Sequence, residues 1–295
     1  MFKKILLAAT PLIDPQAAPR AAFDLARAHN AELIVYHALP IGRNDWCTFD
    51  DTIPEDTLVE SARCKIARTY ADELKDIRHS VRVVTEPSHE KLLKIIHTEG
   101  IDLVVMGHHT GSMIRADRMW GMVDTSIRKV CSNVFSPVLV VTQPAPRIAD
   151  IKRIVMATDF STPSDSALCY ATQLARLTGA HMDIFHVLDI GHRCPEPRYY
   201  MQDMNVFIEE AKARMARRYA KPLSGISHSF ECWEGVPYTE ILKQARWSEA
   251  DVVIMAQYSS SQEPATATVG STVIQVALSP GCPTLIVNYR ARVCM

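Results

Sequence analysis

The sequence predicts an α/β protein of two tandem doubly wound domains, each a five-stranded parallel sheet with helices on both faces. The first observation behind this prediction is a repeat: residues 5–37 align with residues 154–186 without a gap, and residues 102–107 align with residues 251–256. The second is that short apolar runs alternate with amphipathic helical stretches along each repeat. Because β-α alternation produces parallel strands joined by right-handed crossovers, each repeat is expected to form a domain.

The elements of the first repeat follow from their local patterns. Residues 5–9 are continuously apolar, as expected for a strand buried on both faces. Residues 17–29 carry apolar side chains at helical spacing, and residues 32–39 form a second apolar run. The pattern then predicts a long helix over 55–75, a strand over 81–85, a helix over 88–97, a strand over 102–106, a helix over 122–132 and a strand over 137–141. The second repeat predicts strands over 153–158, 181–188, 227–233, 251–256 and 284–288, and a long helix over 203–219.

Length and composition fit two ordinary domains. The chain has 295 residues, and 47% of them are hydrophobic, which is enough for a core in each half. The repeat predicts domains at 1–145 and 151–290, with a proline-containing connection at 143–147. The net charge is −1, from 32 basic and 33 acidic residues, which argues against a dedicated nucleic-acid or polybasic membrane surface.

The N-terminal run of two lysines followed by apolar residues resembles the start of a signal peptide. The run stops at Thr10-Pro11, and its counterpart at 151–157 lies mid-chain, so it is predicted to be the first strand. No stretch reaches the roughly 18 consecutive apolar residues of a membrane span. A cytoplasmic location without membrane attachment is therefore expected.

Cysteines and histidines offer weaker signals. The eight cysteines include no Cys-x-x-Cys pair, and none aligns with a cysteine of the other repeat, so buried apolar side chains are favoured over a structural zinc site. The adjacent His108 and His109 indicate loop polarity, because a metal pair would need a third ligand. His37 and His186 occupy equivalent strand ends, and both are expected to be buried and structural.

A glycine-bearing loop follows the fourth strand. The first repeat has Gly107, Gly111 and Gly121, and the second repeat keeps the spacing with Ala256, Ser260 and Gly270. Glycine lets backbone amides approach an anion closely, and the last glycine opens a helix whose N–H groups attract negative charge. The loop is therefore a candidate phosphate site, although glycines that only form turns would produce the same pattern. It is not a Walker A loop, because no Gly-Lys-Ser/Thr follows.

An aspartate ends the first strand of the second repeat, in Ala-Thr-Asp159-Phe-Ser161. The carboxyl ends of parallel strands border the binding crevice of a doubly wound sheet, so Asp159 could accept hydrogen bonds from a ribose or a base. Asp159 or Ser161 could equally cap the following helix. The first repeat has Thr10 at the corresponding position.

Together these motifs resemble the universal stress protein family. The resemblance is carried by residues 102–107, 154–161, 185–187, 270–271 and 282–287, and it covers essentially the whole chain with one domain per repeat. It implies an adenine-nucleotide alpha-hydrolase-like fold. It also implies binding of an adenine nucleotide, ATP or AMP, with Mg²⁺ accompanying ATP.

The resemblance further implies roles for individual residues. Asp159 would hold the nucleoside, Val187 would meet the base, and Gly270 and Ser271 would meet the phosphates. The contact positions implied in the second repeat are Ala157, Thr158, Asp159, Val187, Met255, Ala256, Ser260, Gly270, Ser271 and Thr272. Those implied in the first repeat are Thr10, Ala38, Met106, Gly107, Gly111, Gly121, Met122 and Val123.

Both copies depart from the family pattern Gly-x2-Gly-x9-Gly-Ser/Thr, because each has one extra residue in the first interval. The first repeat also lacks the aspartate and has Met122 in place of Ser or Thr. The second repeat lacks two glycines, and Ala256 and Ser260 would admit a phosphate only with negative φ angles. The second repeat is therefore expected to be the better nucleoside site, while the loop of the first repeat is expected to accept an anion.

Three functional hypotheses follow. The first is a nucleotide-responsive stress protein that acts by regulation or interaction with an unidentified protein partner rather than by turnover. The second is a ligand-free scaffold with degenerate sites. The resemblance implies that the last strands, 138–141 and 284–287, pair the two domains within the chain, and it leaves a further homodimer open. The third is a slow ATPase, for which no Ser-His-Asp order or carboxylate pair is readable.

Overall fold

The structure is a computed structural model that describes residues 2–8, 17–39, 54–85, 89–107, 127–141, 145–189, 204–258, 269–279 and 281–288. The strands of the first repeat are β1 (Lys4–Ala8), β2 (Glu32–Ala38), β3 (His79–Val84), β4 (Leu103–Gly107) and β5 (Val138–Val141). Those of the second repeat are β6 (Arg153–Ala157), β7 (His181–Asp189), β8 (His228–Gly235), β9 (Val252–Ala256) and β10 (Thr284–Val287).

The helices alternate with these strands. The first repeat has α1 (Ala17–His29), α2 (Glu55–Thr69), α3 (Ala71–Leu74), α4 (His89–Thr98) and α5, which is described over 127–133. The second repeat has α6 (Thr162–Thr178), α7 (Met204–Tyr219), α8 (Pro237–Trp247) and α9 (Ser271–Leu278). The predicted α/β class with two doubly wound units is confirmed.

The ten strands of the described residues form one sheet in the order β3-β2-β1-β4-β5-β10-β9-β6-β7-β8. Within each repeat every pairing is parallel, with the first strand of the repeat between the second and the fourth. The strand order therefore reverses beside β1 and beside β6. Ligand crevices of doubly wound sheets form at such reversals.

The central strands are buried on both faces because helices cover each side of the sheet. Ile5 and Leu7 of β1 face the layer of α1 and α2, whereas Leu6 faces the layer of α4 and α5. The second repeat follows the same arrangement, with α6 and α7 on the first face and α8 and α9 on the second. Each hydrophobic layer contains residues of both repeats, so the two halves share a continuous core.

The two halves are joined by an antiparallel pairing of β5 with β10, in which Leu139 lies opposite Leu285. This is the intramolecular pairing of the last strands that the family resemblance implies. Two hydrogen bonds reinforce the junction: Asn288 donates its amide to the Val134 carbonyl at 2.9 Å, and the Val269 N–H donates to the Ser132 hydroxyl at 3.2 Å. Because this pairing is antiparallel, the strands of the two repeats run in opposite directions, and the carboxyl ends of one set lie on the same side as the amino ends of the other.

One predicted helix is wrong in its extent. The segment expected as a single helix over 55–75 is divided at Tyr70, whose φ of −112° and ψ of 20° end α2 and precede α3. Tyr70 is buried, and its ring makes an edge contact with Phe23 at 5.2 Å between centroids. The break is therefore a product of tertiary packing. The helix expected over 122–132 lies partly outside the described residues.

Among the described residues, none of the helices combines the length and the apolar character needed to cross a bilayer.

Candidate functional site

A cavity of about 590 Å³ opens at the carboxyl ends of the strands of the second repeat. Its walls come from the ends of β6, β7 and β9 and from the first turns of α6, α8 and α9. The volume falls within the roughly 300–1,000 Å³ that small-molecule pockets occupy. The cavity lies at the reversal of strand order, which is where the fold predicts a ligand crevice.

Most contact positions expected in the second repeat line this cavity: Ala157, Thr158, Asp159, Val187, Met255, Ala256, Gly270 and Thr272. Ser271 begins α9 with an exposed side chain that is not part of the lining. Ala256 ends strand β9 without a positive φ, so the loss of a glycine there strains no backbone. Ser260 lies outside the described residues.

The first repeat can be compared only at the ends of β2 and β4. Ala38 ends β2 and is half-buried, and Met106 is buried in β4. A Cβ at Gly107 would lie 3.3 Å from the Cβ of Ala18, so this glycine lets α1 pack closely against the sheet. The positions expected at Thr10, Gly111, Gly121, Met122 and Val123 lie outside the described residues.

The loop after β6 is held by a hydrogen-bond network around the start of α6. Ser161 is the N-cap of α6, and its Oγ accepts the Ser164 N–H at 3.2 Å. Asp159 accepts through Oδ1 from the Ser161 N–H at 3.0 Å and from the Ser164 hydroxyl at 2.6 Å. Helix capping and cavity lining, the two interpretations of this segment, therefore apply to different residues. Ser161 caps the helix, whereas Asp159 stabilises the turn and lines the cavity.

Phe160 holds the same loop in an uncommon conformation. Its φ is 62°, in the left-handed region that bulky residues rarely adopt and that costs on the order of 1–3 kcal/mol. The ring packs against His186 with 4.5 Å between centroids, and the guanidinium of Arg214, on α7, lies 4.1 Å from the ring centroid. These contacts offset the backbone strain and fix the segment that carries Asp159.

Thr158 anchors the loop to the body of the domain. Its Oγ1 accepts the Phe160 N–H at 3.1 Å and lies 2.7 Å from the phenol oxygen of Tyr219. Its carbonyl accepts a hydrogen bond from Nδ1 of His186 at 2.7 Å, so Nδ1 carries the proton in this contact. Burial raises the pKa of the Tyr219 phenol, which therefore stays protonated at neutral pH.

The start of α9 provides an electropositive wall. Gly270 is the N-cap of this helix, with φ −64° and ψ 148°, and no side chain caps it. The first N–H groups of a helix lack intrahelical partners and attract negative charge. A Cβ at Gly270 would meet the Gln257 carbonyl at 3.7 Å and Val273 Cγ2 at 3.8 Å, which are ordinary contacts. The surrounding protein therefore has room for a side chain at position 270. A glycine is needed there only if a ligand lies close to the start of the helix.

The remaining walls combine carboxylates with apolar surface. Asp159 and Asp189 are the carboxylates among the described lining residues, and both can accept hydrogen bonds from hydroxyl or amino groups. Phe185, Val187 and Ile241 add apolar surface. The arrangement suits a ligand with an apolar planar part, hydrogen-bond donors and one anionic end.

The family follows from the sequence of both halves. The model of the universal stress protein family matches residues 1–142 and again residues 150–288. The chain belongs to the universal stress protein family. No curated protein sequence matches it.

Solved structures show the same tandem architecture. A universal stress protein from Archaeoglobus fulgidus DSM 4304 is 16% identical, with 96% of each chain covered and a TM-score of 0.64. A functionally unknown protein from Pseudomonas aeruginosa PAO1 is 14% identical, with 99% of this chain and 95% of that chain covered and a TM-score of 0.62. These likenesses show the fold, which is the adenine-nucleotide alpha-hydrolase-like fold of universal stress proteins.

The second universal stress protein domain brings further residues to the cavity that were not expected from sequence as ligand contacts. They are Ser164, Phe185, His186, Asp189, Pro237, Ile241, Tyr258 and Val273. His186 is buried and hydrogen-bonded, as expected, but it also lines the cavity. Pro237 and Ile241 could have been predicted from the sequence as lining residues, because a helix that follows a parallel strand begins at the carboxyl end of that strand.

The cysteines of the universal stress protein domains occupy varied environments. Cys131 and Cys232 are buried, as the sequence predicts, whereas Cys64 is exposed. Among the described residues, no group of three His, Cys, Asp or Glu side chains is arranged to hold a metal ion. The positions outside that part of the chain are Cys47, Cys194, Cys294, His108 and His109.

Proposed function

We propose that the cavity of the second domain binds an adenine nucleotide, ATP or AMP, and that the protein acts by regulation or interaction rather than by turnover. The observation that carries this proposal is the convergence of Asp159, Val187 and Gly270 on one 590 Å³ cavity at the carboxyl edge of the sheet. A cytoplasmic location and an unidentified protein partner belong to the same proposal.

The proposed roles follow from the chemistry of the walls. Asp159 accepts from a ribose hydroxyl with its carboxylate, and Val187 contacts the base. The N–H groups at the start of α9, after Gly270, hold a phosphate, with Thr272 nearby as a hydroxyl donor. Mg²⁺ would accompany ATP as part of the ligand and balance the negative charge of the phosphates near Asp159 and Asp189.

The first domain is proposed as the weaker site. Its loop keeps the glycines that permit close amide approach, but Thr10 replaces the aspartate and Met122 replaces the hydroxyl donor. An anion, rather than a whole nucleotide, is the ligand that this combination favours.

Isothermal titration of nucleotide-stripped protein with ATP, ADP and AMP tests the proposal. One tight site is expected in the wild type. Asp159→Asn keeps an oxygen that can accept from Ser161 while it removes the charge, so affinity should fall tenfold or more without loss of fold, given roughly 1.5–3 kcal/mol for a hydrogen bond to a charged group. Asp150→Ala, on the exposed 3₁₀ turn that precedes β6, is the matched control and should bind like the wild type.

The titration also separates the alternatives. Absence of heat with every nucleotide would leave the ligand-free scaffold, which the incomplete glycine motif of both repeats favours. Steady ATP hydrolysis that Asp159→Asn abolishes would instead favour a slow ATPase.

A further inference from the structure

A row of polar side chains crosses β7 and β8 at their amino ends. Oγ of Ser227, which precedes β8, lies 2.7 Å from the imidazole Nδ1 of His181, which begins β7. Nε2 of the same ring lies 3.2 Å from Oδ1 of Asp183. A hydroxyl, an imidazole and a carboxylate are thus brought together in the order of a Ser-His-Asp triad. They lie at the opposite end of the strands from the 590 Å³ cavity.

Strand pairing holds the three groups together. His181 and Asp183 are two residues apart on β7, so their side chains project from the same face of the sheet. Asp183 lies opposite Ser229 in the register of β7 and β8. The Met182 N–H donates to the Ser227 carbonyl at 2.9 Å, which sets Ser227 beside His181. The arrangement therefore follows from the sheet and does not depend on the position of a loop.

The carboxylate of Asp183 is fixed by two further partners. Its Oδ1 accepts the Ser229 hydroxyl at 2.7 Å, and its Oδ2 accepts from the Arg153 guanidinium at 3.4 Å. A fixed negative charge beside Nε2 favours the proton on that nitrogen of His181, which leaves Nδ1 to accept from the Ser227 hydroxyl. The same charge stabilises the imidazolium that forms when His181 takes a second proton.

Exposure increases along the row from the carboxylate to the hydroxyl. The side chain of Asp183 is 4% exposed and that of His181 is 29% exposed, whereas Ser227 is an exposed residue. A reagent in solution can therefore reach the serine, while the charge that supports the imidazole is shielded from water.

The backbone beside Ser227 offers a donor for a developing oxyanion. In the described sheet β8 is the last strand, and it pairs with β7 along one side. Because the Ser227 carbonyl points to β7, where it accepts the Met182 N–H, the register turns the His228 N–H to the other side of β8. In α/β-hydrolases the residue after the nucleophilic serine supplies such an N–H. A carbonyl group attacked by Ser227 can direct its oxygen to this donor.

The first repeat shows that the fold does not require this row. Glu32, Ile34 and Arg78 occupy the aligned positions. Glu32 makes an ion pair with Lys4 at 3.6 Å. Arg78 donates to the Asn30 carbonyl at 3.1 Å, whereas Ile34 is fully buried. The second repeat therefore buries a carboxylate where an aliphatic side chain packs in the first, and burial of a carboxylate is costly unless it is paired.

We propose that Ser227 is a nucleophile that takes the acyl group of small carboxylic esters with a good leaving group. Its Oγ forms a bond to the carbonyl carbon while its proton moves to Nδ1 of His181, and the bond from that carbon to the leaving oxygen breaks. The leaving group departs as an oxyanion, and the imidazolium returns its proton to water. Asp183 is a positioning residue that acts through His181. Because a serine ester is less activated than such a donor, its hydrolysis is slower than its formation, and the acylated protein accumulates.

Treatment of the full-length protein with 4-nitrophenyl acetate tests this proposal. Release of nitrophenolate reports the reaction, and peptide mapping by mass spectrometry locates the acetyl groups. A stoichiometric burst of nitrophenolate and acetylation of Ser227 are expected. Ser224, which is exposed in the turn before β8, is the internal control and should stay unmodified over the same time.

Substitutions separate the roles of the three side chains. Ser227→Ala should abolish the burst, and His181→Gln should slow acetylation of Ser227 by about tenfold or more. Asp183→Asn should also slow it, but should have no further effect in the His181→Gln protein, because Asp183 acts through that imidazole. A purely structural role of Asp183 would instead lower the rate in both backgrounds. His79→Gln, at the exposed start of β3, is the control and should react like the wild type.

Three results would overturn the proposal: no acetyl group on Ser227, acetylation of Ser224 as rapid as that of Ser227, or an unchanged rate at Ser227 in His181→Gln. The proposal is independent of the nucleotide site, because Ser227→Ala lies at the other end of the strands and should bind nucleotide like the wild type. Failure of one proposal therefore leaves the other intact.

Discussion

The phenol of Tyr219 and the hydroxyl of Thr158 are 2.7 Å apart, and this buried hydrogen bond connects the end of α7 to the loop that lines the 590 Å³ cavity of the second repeat. Helix α7 makes two further contacts nearby, from Arg214 to the Phe160 ring in the loop and from Arg218 to Asp165 in the first turn of α6. The position of α7 and the conformation of the loop are therefore linked.

Removing the phenol should weaken this link. Tyr219→Phe leaves Thr158 with the Phe160 N–H as a partner, so the expected loss is about 1 kcal/mol in the free energy of unfolding, measured by urea denaturation. Tyr70→Phe is the matched control, because Tyr70 aligns with Tyr219 but Ala9, which has no hydroxyl, aligns with Thr158. An equal effect of the two substitutions would contradict the importance of the hydrogen bond.

Substitution by alanine should have different effects at Gly107, at the end of β4, and at Gly270, at the start of α9. Gly270→Ala meets only ordinary contacts at 3.7 and 3.8 Å and has a φ of −64°, so the thermal midpoint should hold while nucleotide affinity falls. Gly107→Ala places a methyl 3.3 Å from Ala18, so the thermal midpoint should fall. Thermal unfolding and calorimetry of both variants check this contrast, and unchanged nucleotide affinity in Gly270→Ala would oppose the proposed phosphate position.

The junction between the domains should not tolerate a charge. Leu285 is 6% exposed and lies opposite Leu139, so Leu285→Lys buries an ammonium without a partner and should cost about 3 kcal/mol or more. Urea denaturation with limited proteolysis would reveal loosening of the two halves. Leu177→Lys, at a position that is 54% exposed, is the control. Equal stability of the two variants would contradict a junction built on β5 and β10.

Alkaline pH should destabilise the protein through its buried thiols. Burial raises the pKa of Cys131 and of Cys282 to about 12 from the ordinary 9.0, and that of Cys232 to about 11. Because the folded pKa lies above the unfolded value, this contribution to stability is full below pH 9.0 and is lost as the pH rises towards 12. Urea denaturation across this range should show a falling free energy of unfolding.

Alkylation offers an independent check on the same thiols. In native protein at mildly alkaline pH, the exposed Cys64 should react well before Cys131, which should react only after unfolding. Peptide mapping by mass spectrometry distinguishes the sites. Modification of Cys131 as rapid as that of Cys64 would contradict the burial.

Much of the fold was accessible from sequence because the strands are buried on both faces. A mainly apolar run such as 102–106 is recognised as a strand without an alternating polar and apolar pattern. The repeat also provides an aligned second copy against which each element can be compared. The break at Tyr70 was not accessible, because it depends on a ring contact with Phe23, which is remote in sequence.

The site residues at the strand ends could be predicted from the sequence, whereas the loop conformations could not. Asp159 and Val187 follow strands directly, so the sheet alone brings them to one edge. The left-handed backbone of Phe160 was not predictable, because bulky residues rarely adopt it and its support comes from α7.

The pairing of β5 with β10 also changes how the two sites can diverge. In a homodimer with two-fold symmetry, every substitution appears on both sides of the interface. Here the two partners are consecutive segments of one polypeptide, so a substitution alters a single half. The junction can stay symmetric while the pockets on either side follow separate histories. The first repeat has Thr10 where the second has Asp159, and Gly100 where the second has Glu249. A symmetric dimer of identical chains could not show such differences between its two halves.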